Sequence, residues 1–318
     1  MDTDGKLTVA LLSGGRSSER EISLSSGDHV FDALDKNRYR VLRYDPQSDL
    51  SRLVADAAVI DVALVILHGM YGEDGAIQGL LDLLEIPYQC SGVLGSCVAM
   101  NKAVAKQFYE RAGIEVPPFR TLFTGEKPDT NEIVNALGLP LVIKPAGGGS
   151  SIGMAIVREK TELAKAIDNA FAHDSTVVIE AFLNGIEITG GVLGNDNLLA
   201  LPLIEIIPKT GHEFFDFSAK YDSSETEEIC PARLDKEIAK KAQNIALAAH
   251  KALFCSGYSR TDMIVRDNRI YVLETNTIPG MTPASLLPLA ARTAGISYAG
   301  LIDRLIGLAL EKKSRLSK

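Results

Sequence analysis

Asp262, Glu274 and Asn276 are three hard oxygen donors set in runs that otherwise read as buried β-strand. Glu274 and Asn276 are two residues apart, so strand alternation puts them on one face. The polar run Asp267-Asn268-Arg269 between the strands reads as a hairpin turn. With those residues in the turn, Arg266 pairs with Ile270, and Asp262 falls opposite Glu274. The donors then converge. Oxygen donors that leave room for water and phosphate suit Mg²⁺ presented with a nucleotide. A polar hairpin edge is the alternative. Arg260 shares the face of Asp262, where a guanidinium could hold charge developing on an oxygen in a transition state. A charge-balancing salt bridge would also explain it.

The run Lys144-Pro145-Ala146-Gly147-Gly148-Gly149-Ser150-Ser151-Ile152-Gly153 follows an apolar strand. Such a loop can wrap phosphate oxygens with backbone N–H groups while the strand-end lysine adds charge. It lacks the Gly-Lys-Ser/Thr ending of a Walker loop, and its glycine spacing fails the dinucleotide fingerprint. A simple glycine-rich turn is the alternative. Lys102 and Lys106 lie one helical turn apart. Lys102, at a domain junction, is a candidate phosphate contact, whereas Lys106 reads as part of a solvated face. His68 ends the apolar strand Val62 to Leu67 and should project into a crevice, although a structural histidine would fit there too. Glu19 and Glu21 open the first helix and could merely complement its dipole. Only Glu19, beside the Gly14-Gly15 loop, is placed to bind an ammonium group.

These residues need elements to position them. Strands at Leu7–Leu12, Tyr39–Tyr44 and Val62–Leu67, with a helix from Glu19, predict a parallel sheet covered on both faces. A helix Asn101–Ala112 leads through Pro117-Pro118 into a second unit. There the pattern predicts strands near 119–123, 139–144, 154–157 and 177–181, with helices near 131–137 and from 161. A third unit has strands 187–193 and 198–207, then a polar loop, 209–230, long enough to be functional or mobile. A helix from Asp235 to Leu253 carries an apolar stripe. The metal hairpin and a helix 296–310 close the chain. The expected division is 1–100, 101–183 and 184–318. The fold class is α/β, turning α+β after residue 100.

The chain of 318 residues has ample core, and 46% hydrophobic with 23% charged residues is ordinary for a soluble globular protein. A net charge of −8 argues against nucleic acid or an anionic membrane as the main partner. The polar start carries no signal-peptide pattern, and no apolar run approaches a membrane span. Cys90, Cys97, Cys230 and Cys255 lack any CxxC spacing, so buried free thiols in a reducing cytoplasm are expected.

Taken together, the segments resemble the D-alanine–D-alanine ligases of the ATP-grasp superfamily. The likeness runs through Gly14-Gly15-Arg16-Ser17-Ser18-Glu19, His68-Gly69 with Gly72-Glu73-Asp74-Gly75, and Ala99-Met100-Asn101-Lys102. It continues through Lys144-Pro145, Gly149-Ser150-Ser151-Ile152-Gly153, Ala219-Lys220-Tyr221, Arg260-Thr261-Asp262, Leu273-Glu274-Thr275-Asn276 and Pro279-Gly280-Met281-Thr282. Each piece is weak alone, but their joint order is specific. The resemblance implies an N-terminal parallel-sheet preATP-grasp domain followed by a two-subdomain ATP-grasp fold. It implies ligation of two D-alanines through an acyl phosphate, for peptidoglycan precursors, by a cytoplasmic homodimer. A D-alanine–D-lactate ligase is the nearest alternative, and its members lack the Lys-Tyr pair found here as Lys220-Tyr221. A non-catalytic nucleotide-binding protein is a further alternative.

By the family pattern, Asp262, Glu274 and Asn276 would hold two Mg²⁺, with Mn²⁺ as a substitute. Lys102, Lys144, Ser151 and Lys220 would contact the ATP phosphates. Glu180, Phe182, Leu183, Glu187 and Phe214 would surround adenine and ribose. Glu19 would bind the first substrate's ammonium, with His68 near its carboxylate and Tyr221 bonded to Ser150 and Glu19. Arg260 and the Gly280 N–H would stabilise the oxyanion, and Ser285 with Leu286 would receive the second carboxylate. Ala181 stands where family members often carry a lysine, and Thr275 replaces an apolar residue whose side chain faces away from the site.

Overall fold

The computed structural model describes residues 5–148, 152–208 and 226–316. The first unit alternates β1 (Leu7–Ser13), α1 (Arg20–Ala33), β2 (Tyr39–Tyr44), α2 (Leu50–Ala55) and β3 (Val62–Ile66), followed by α3 (Ala76–Leu83) and α4 (Val93–Met100). Its strands form a parallel sheet in the order β2-β1-β3. All five residues of β3 are buried, as a strand covered on both faces requires. α3 and α4 lie in segments where no helix was expected. Both are only eight residues long, too short for a clear helical period.

The second unit contains α5 (Lys102–Arg111), β4 (Phe119–Phe123), α6 (Thr130–Leu137), β5 (Leu141–Pro145), β6 (Ala155–Val157), α7 (Lys160–Phe171) and β7 (Thr176–Ala181). Its antiparallel sheet has the order β4-β7-β5-β6. Asn101 caps α5 by accepting from the Val104 N–H at 3.1 Å, and Glu159 with Glu162 forms a capping box on α7. The starts of these helices are therefore fixed by sequence.

The third unit contains β8 (Ile186–Gly194), β9 (Leu199–Ala200), β10 (Ile204–Pro208), β11 (Thr226–Ile229), α8 (Lys236–Ala252), β12 (Gly257–Arg266), β13 (Arg269–Asn276), α9 (Leu286–Thr293) and α10 (Tyr298–Leu316). The main path is β11-β10-β8-β12-β13, with β9 on β8. The strand expected over 198–207 is two strands. Pro202 has no N–H to donate, and the ladder breaks around it. The end of the expected 209–230 loop is strand β11, paired with β10.

The units are not separate beads. One core joins the first sheet to Leu193, Leu201, Ile278 and the buried faces of α9 and α10. Among the described residues no single helix is long and apolar enough to cross a membrane. α9 and α10 reach such a composition only as a pair bent by 102°. Cys90 is buried as expected, but Cys97 is exposed on α4, so burial does not account for all the free thiols.

Gly257 marks the tightest approach between units. Its φ is +74°, and an added Cβ would lie 1.7 Å from the Gln89 carbonyl oxygen. Gly257→Ala should destabilise the fold by about 2 kcal/mol or more, from strain and overpacking together. Gly307, in α10 with nothing within 4 Å of an added Cβ, is the control. Gly307→Ala should be neutral or stabilising by up to about 1 kcal/mol. Denaturant unfolding of the two variants checks the contrast; equal midpoints would refute it.

Candidate active site

β12 and β13 meet at a two-residue turn. Arg266 faces Arg269, and Asp267 and Asn268 have φ of 50° and 60°. Positive φ at both central residues is type I′ geometry, which Asp and Asn tolerate. The expected three-residue turn is therefore corrected, since Arg269 already belongs to the ladder. The register then slips once, between Met263 and Asp262, where Leu273 is an extra residue. Beyond this bulge Asp262 faces Glu274, Thr261 faces Thr275, and Arg260 faces Asn276. The bulge restores the residue that the turn gave up. It also lets Leu273 and Glu274, neighbours in sequence, line the same cavity.

Asp262 accepts from Arg260 Nε at 3.0 Å and Nη2 at 2.8 Å, from Thr189 Oγ1 at 2.5 Å, and from Asn276 Nδ2 at 3.1 Å. The salt bridge allowed for Arg260 is thus present. Lys102 Nζ lies 3.6 Å from Glu274. Thr275 points to the opposite face, bonded to Tyr109 Oη at 2.7 Å and Thr261 Oγ1 at 3.0 Å. Among the described residues, no group of three or more His, Cys, Asp and Glu could hold a metal alone. Asp262, Glu274 and the Asn276 amide offer only hard oxygens, and the two carboxylates already lie against cations. Their chemistry fits a divalent ion whose shell is completed by phosphate and water.

The hairpin closes one wall of a cavity of about 540 Å³ between the second and third sheets. Lys102, Lys144, Glu180, Phe182, Leu183 and Glu187 all line it. Val142 and Ile156 face it from one sheet, and Ile264 and Leu273 from the other. Two opposed apolar walls with a polar edge suit a flat heteroaromatic ring. Lys102 donates to the Gly148 carbonyl at 2.8 Å, tying the glycine loop to the hairpin through its contact with Glu274. Arg233 also lines the cavity, held by the Glu205 carboxylate at 2.8 Å. Neither residue had any distinguishing sequence signal.

Lys106 is not solvated. It is wholly buried, with Nζ 2.9 Å from Glu180 Oε1, and Lys144 Nζ reaches that same oxygen at 2.8 Å. Burial, only partly offset by Glu180, pushes the Lys106 ammonium down to about 8. Burial alone would raise the Glu180 carboxyl, but Lys106 and Lys144 hold it below its ordinary range. The solvated reading failed because α5 buries the face carrying Lys106, with Ala103, Ala105 and Tyr109 also buried.

A second concavity, of about 300 Å³, opens at the carboxyl ends of β1 and β3 and is lined by Gly14, Gly15 and His68. The Gly15 N–H donates to Asp45 at 2.9 Å, and Arg20 bonds both the Gly15 carbonyl, at 2.7 Å, and Asp45. Burial works upward on the Asp45 carboxyl, but Arg20 and the Gly15 N–H bring it down to about 2. Glu19 is buried, and its Oε2 would touch a Cβ at Gly69, at 2.8 Å. His68 is buried, with Nδ1 3.1 Å from the Ile278 carbonyl. Because a carbonyl only accepts, Nδ1 carries the proton and Nε2, which has no partner among the described residues, is an acceptor. Burial lowers the ring's proton affinity, which keeps it neutral.

Glu73, close to Glu19, is the residue that sequence reasoning passed over. Its carboxyl group accepts from the Gly69 N–H at 2.8 Å and the Ile278 N–H at 3.1 Å, so it ties the loop after His68 to the bend that follows β13. Burial, reinforced by the nearby Glu19 charge, pushes it up to about 8. Its place in Gly72-Glu73-Asp74-Gly75 was visible, but its partner lies 205 residues away. Gly280 lies against Ser285, whose Oγ would be 3.0 Å from an added Cβ, and Ser285 precedes Leu286 at the start of α9. Ser150, Ser151, Phe214, Lys220 and Tyr221 lie outside the described residues.

Comparison with known proteins agrees with this arrangement. The family model described as D-ala D-ala ligase C-terminus matches residues 108–307, and D-ala D-ala ligase N-terminus matches residues 46–91. A D-alanine–D-alanine ligase of Syntrophobacter fumaroxidans is 62% identical over 306 residues, covering 96% of this chain and 98% of its own. The crystal structure of the D-alanine–D-alanine ligase from Bacillus anthracis superposes with a TM-score of 0.87 at 41% identity, over 98% of this chain and 99% of that one. The complex of a Bacillus anthracis D-alanine–D-alanine ligase with ATP gives 0.85 at 37% identity, with the same coverage. With both family models matched and relatives aligned along nearly its whole length, this chain belongs to the D-alanine–D-alanine ligase family.

Proposed function

We propose that the chain is an ADP-forming D-alanine–D-alanine ligase that supplies the dipeptide for peptidoglycan precursors. One observation carries this reading: the hairpin closes a cation-lined, apolar-walled cavity, and Ile278, two residues past its end, binds both His68 and Glu73. A carboxylate is a poor electrophile, and phosphorylation makes amide formation feasible. ATP donates its γ-phosphoryl group to a carboxylate oxygen of the first D-alanine, breaking the bond to ADP. The amine of the second then attacks the acyl carbon, and phosphate departs from the tetrahedral intermediate as the nitrogen loses a proton.

In this reading adenine lies between the apolar walls, with Glu180 and the hinge Phe182-Leu183 at its edge and Glu187 toward the ribose. Lys102 and Lys144 face the phosphates. Asp262, Glu274 and Asn276 would hold Mg²⁺, which offsets phosphate charge during in-line displacement. Glu19 binds the first ammonium. His68 sits alongside; its neutral acceptor nitrogen suits an N–H donor, and a carboxylate neighbour would favour the protonated ring. Arg260, released from Asp262, and the Gly280 N–H would serve the oxyanion. Ser285 and Leu286 receive the second carboxylate at the N-terminus of α9, where backbone N–H groups point outward. The units 1–100, 101–183 and 184–318 act as substrate domain and two nucleotide subdomains. A cytoplasmic homodimer joined through the first unit completes the reading.

With ATP, Mg²⁺ and D-alanine, the purified protein should release ADP and form D-alanyl-D-alanine. No D-alanine-dependent ADP release would sink the proposal. Glu274→Ala should lower that rate at least about 100-fold, with little change in thermal midpoint. Retained activity would remove Glu274 from the metal set. The D-lactate alternative is favoured only if ester product dominates when D-lactate competes with D-alanine across pH. Lys220-Tyr221 in the sequence leads us to expect the dipeptide throughout.

A further inference from the structure

Lys106 is a buried cation with no path to the nucleotide, yet it shares one carboxylate oxygen with a lysine that faces it. Lys144 lines the 540 Å³ cavity, whereas Lys106 lies behind Glu180 with none of its surface exposed. The groups around its ammonium are Glu180 on β7 at 2.9 Å, Lys144 on β5, Glu274 on β13 and the Phe119 ring, whose centroid is 5.3 Å away. A buried ammonium is tolerated only when paired. Two ammoniums share the Glu180 carboxylate here, so that carboxylate alone does not neutralise both, and Lys144 is the one of the two that faces the cavity.

A single lysine beside Glu180 would form a closed neutral pair. Its donors would then be committed to the carboxylate, and turning them toward a phosphate would leave Glu180 buried and unpaired. A second lysine removes that conflict. We infer that Lys106 is a positioning residue that serves as the permanent counter-ion of Glu180, freeing Lys144 for the nucleotide phosphates. This rests on the nucleotide occupying the cavity as proposed above. Lys106 thereby couples the adenine edge of the site, through Glu180, to the phosphate end, through Lys144. The two lysines are not redundant, because one provides constant neutralisation and the other exchanges partners.

The test is a double-mutant cycle on Lys106→Met and Glu180→Gln, read as KM for ATP and kcat at saturating D-alanine. Lys106→Met alone should raise KM for ATP about tenfold, the scale of one hydrogen bond to a charged group, while kcat stays within about threefold. In the Glu180→Gln background, where no buried carboxylate competes for Lys144, the same change should alter KM by less than about twofold. Affinity for a non-hydrolysable ATP analogue should follow the same pattern. Equal effects in both backgrounds, or a loss of kcat with KM unchanged, would overturn the inference. Thermal melts establish that each variant folds; Lys106→Gln, which keeps a donor without charge, repeats the cycle where the Met variant does not. Turnover by the wild type is the control. If it is absent the functional reading fails, whereas an active wild type with additive variants defeats the role of Lys106 alone.

Discussion

The chemistry of this chain depends on one extra residue in a strand. A two-residue turn propagated without interruption would set Asp262 opposite Leu273 and turn Glu274 to the other face. Glu274 would then point toward the side occupied by Thr275, Val272 and Ile270, which is buried and largely apolar. An unpaired carboxylate there would cost several kcal/mol. The bulge at Leu273 avoids this outcome. The ladder before it stays in register with the core, and the ladder beyond it brings Asp262, Glu274 and Asn276 together.

Once those charges share a face, the need to pair them organises the surroundings. Asp262 is held by Arg260, Thr189 and Asn276, all from the same sheet. Glu274 instead draws on Lys102 from α5, and that lysine also holds the glycine loop through the Gly148 carbonyl. Lys106, one turn along α5, meets Glu180 and so links the helix to the second sheet. α5 is therefore the element that links the two walls of the larger cavity. Its charges hold it in place as much as its apolar face does.

Much of this was legible because apolar runs and caps are local signals. β2 and β4 fall on the expected residues, and Asn101 and Asp235 cap the helices that were expected after them. The convergence of Asp262 with Glu274 was also legible, but through a compensating error. The extra residue is Leu273 in the bulge and not Arg269 in the turn, and both arrangements give the same pairing beyond it. Sequence spacing counts residues without saying where the extra one is stored. Lys106 failed for a different reason. Two lysines at helical spacing look alike in sequence, and only the packing of α5 against β7 and β13 separates a cavity residue from a buried one. Glu73 and Arg233 depend on partners brought in by tertiary structure, which no local pattern reports.

The bend that follows β13 joins the hairpin to the first unit. Two residues beyond Asn276, the Ile278 carbonyl accepts from His68 and the Ile278 N–H donates to Glu73. Both backbone groups of one residue are thus committed to the first unit. Ile278 itself is buried in the core shared by the first sheet and α9, so it cannot move independently of either. A shift of the end of β13 would therefore be passed through Ile278 to the His68 imidazole and the Glu73 carboxyl. Only Thr277 separates Asn276, the last residue of β13, from the Ile278 contacts with the first unit. The same bulge that directs the charges therefore also sets where Ile278, and with it His68 and Glu73, stands relative to Glu274.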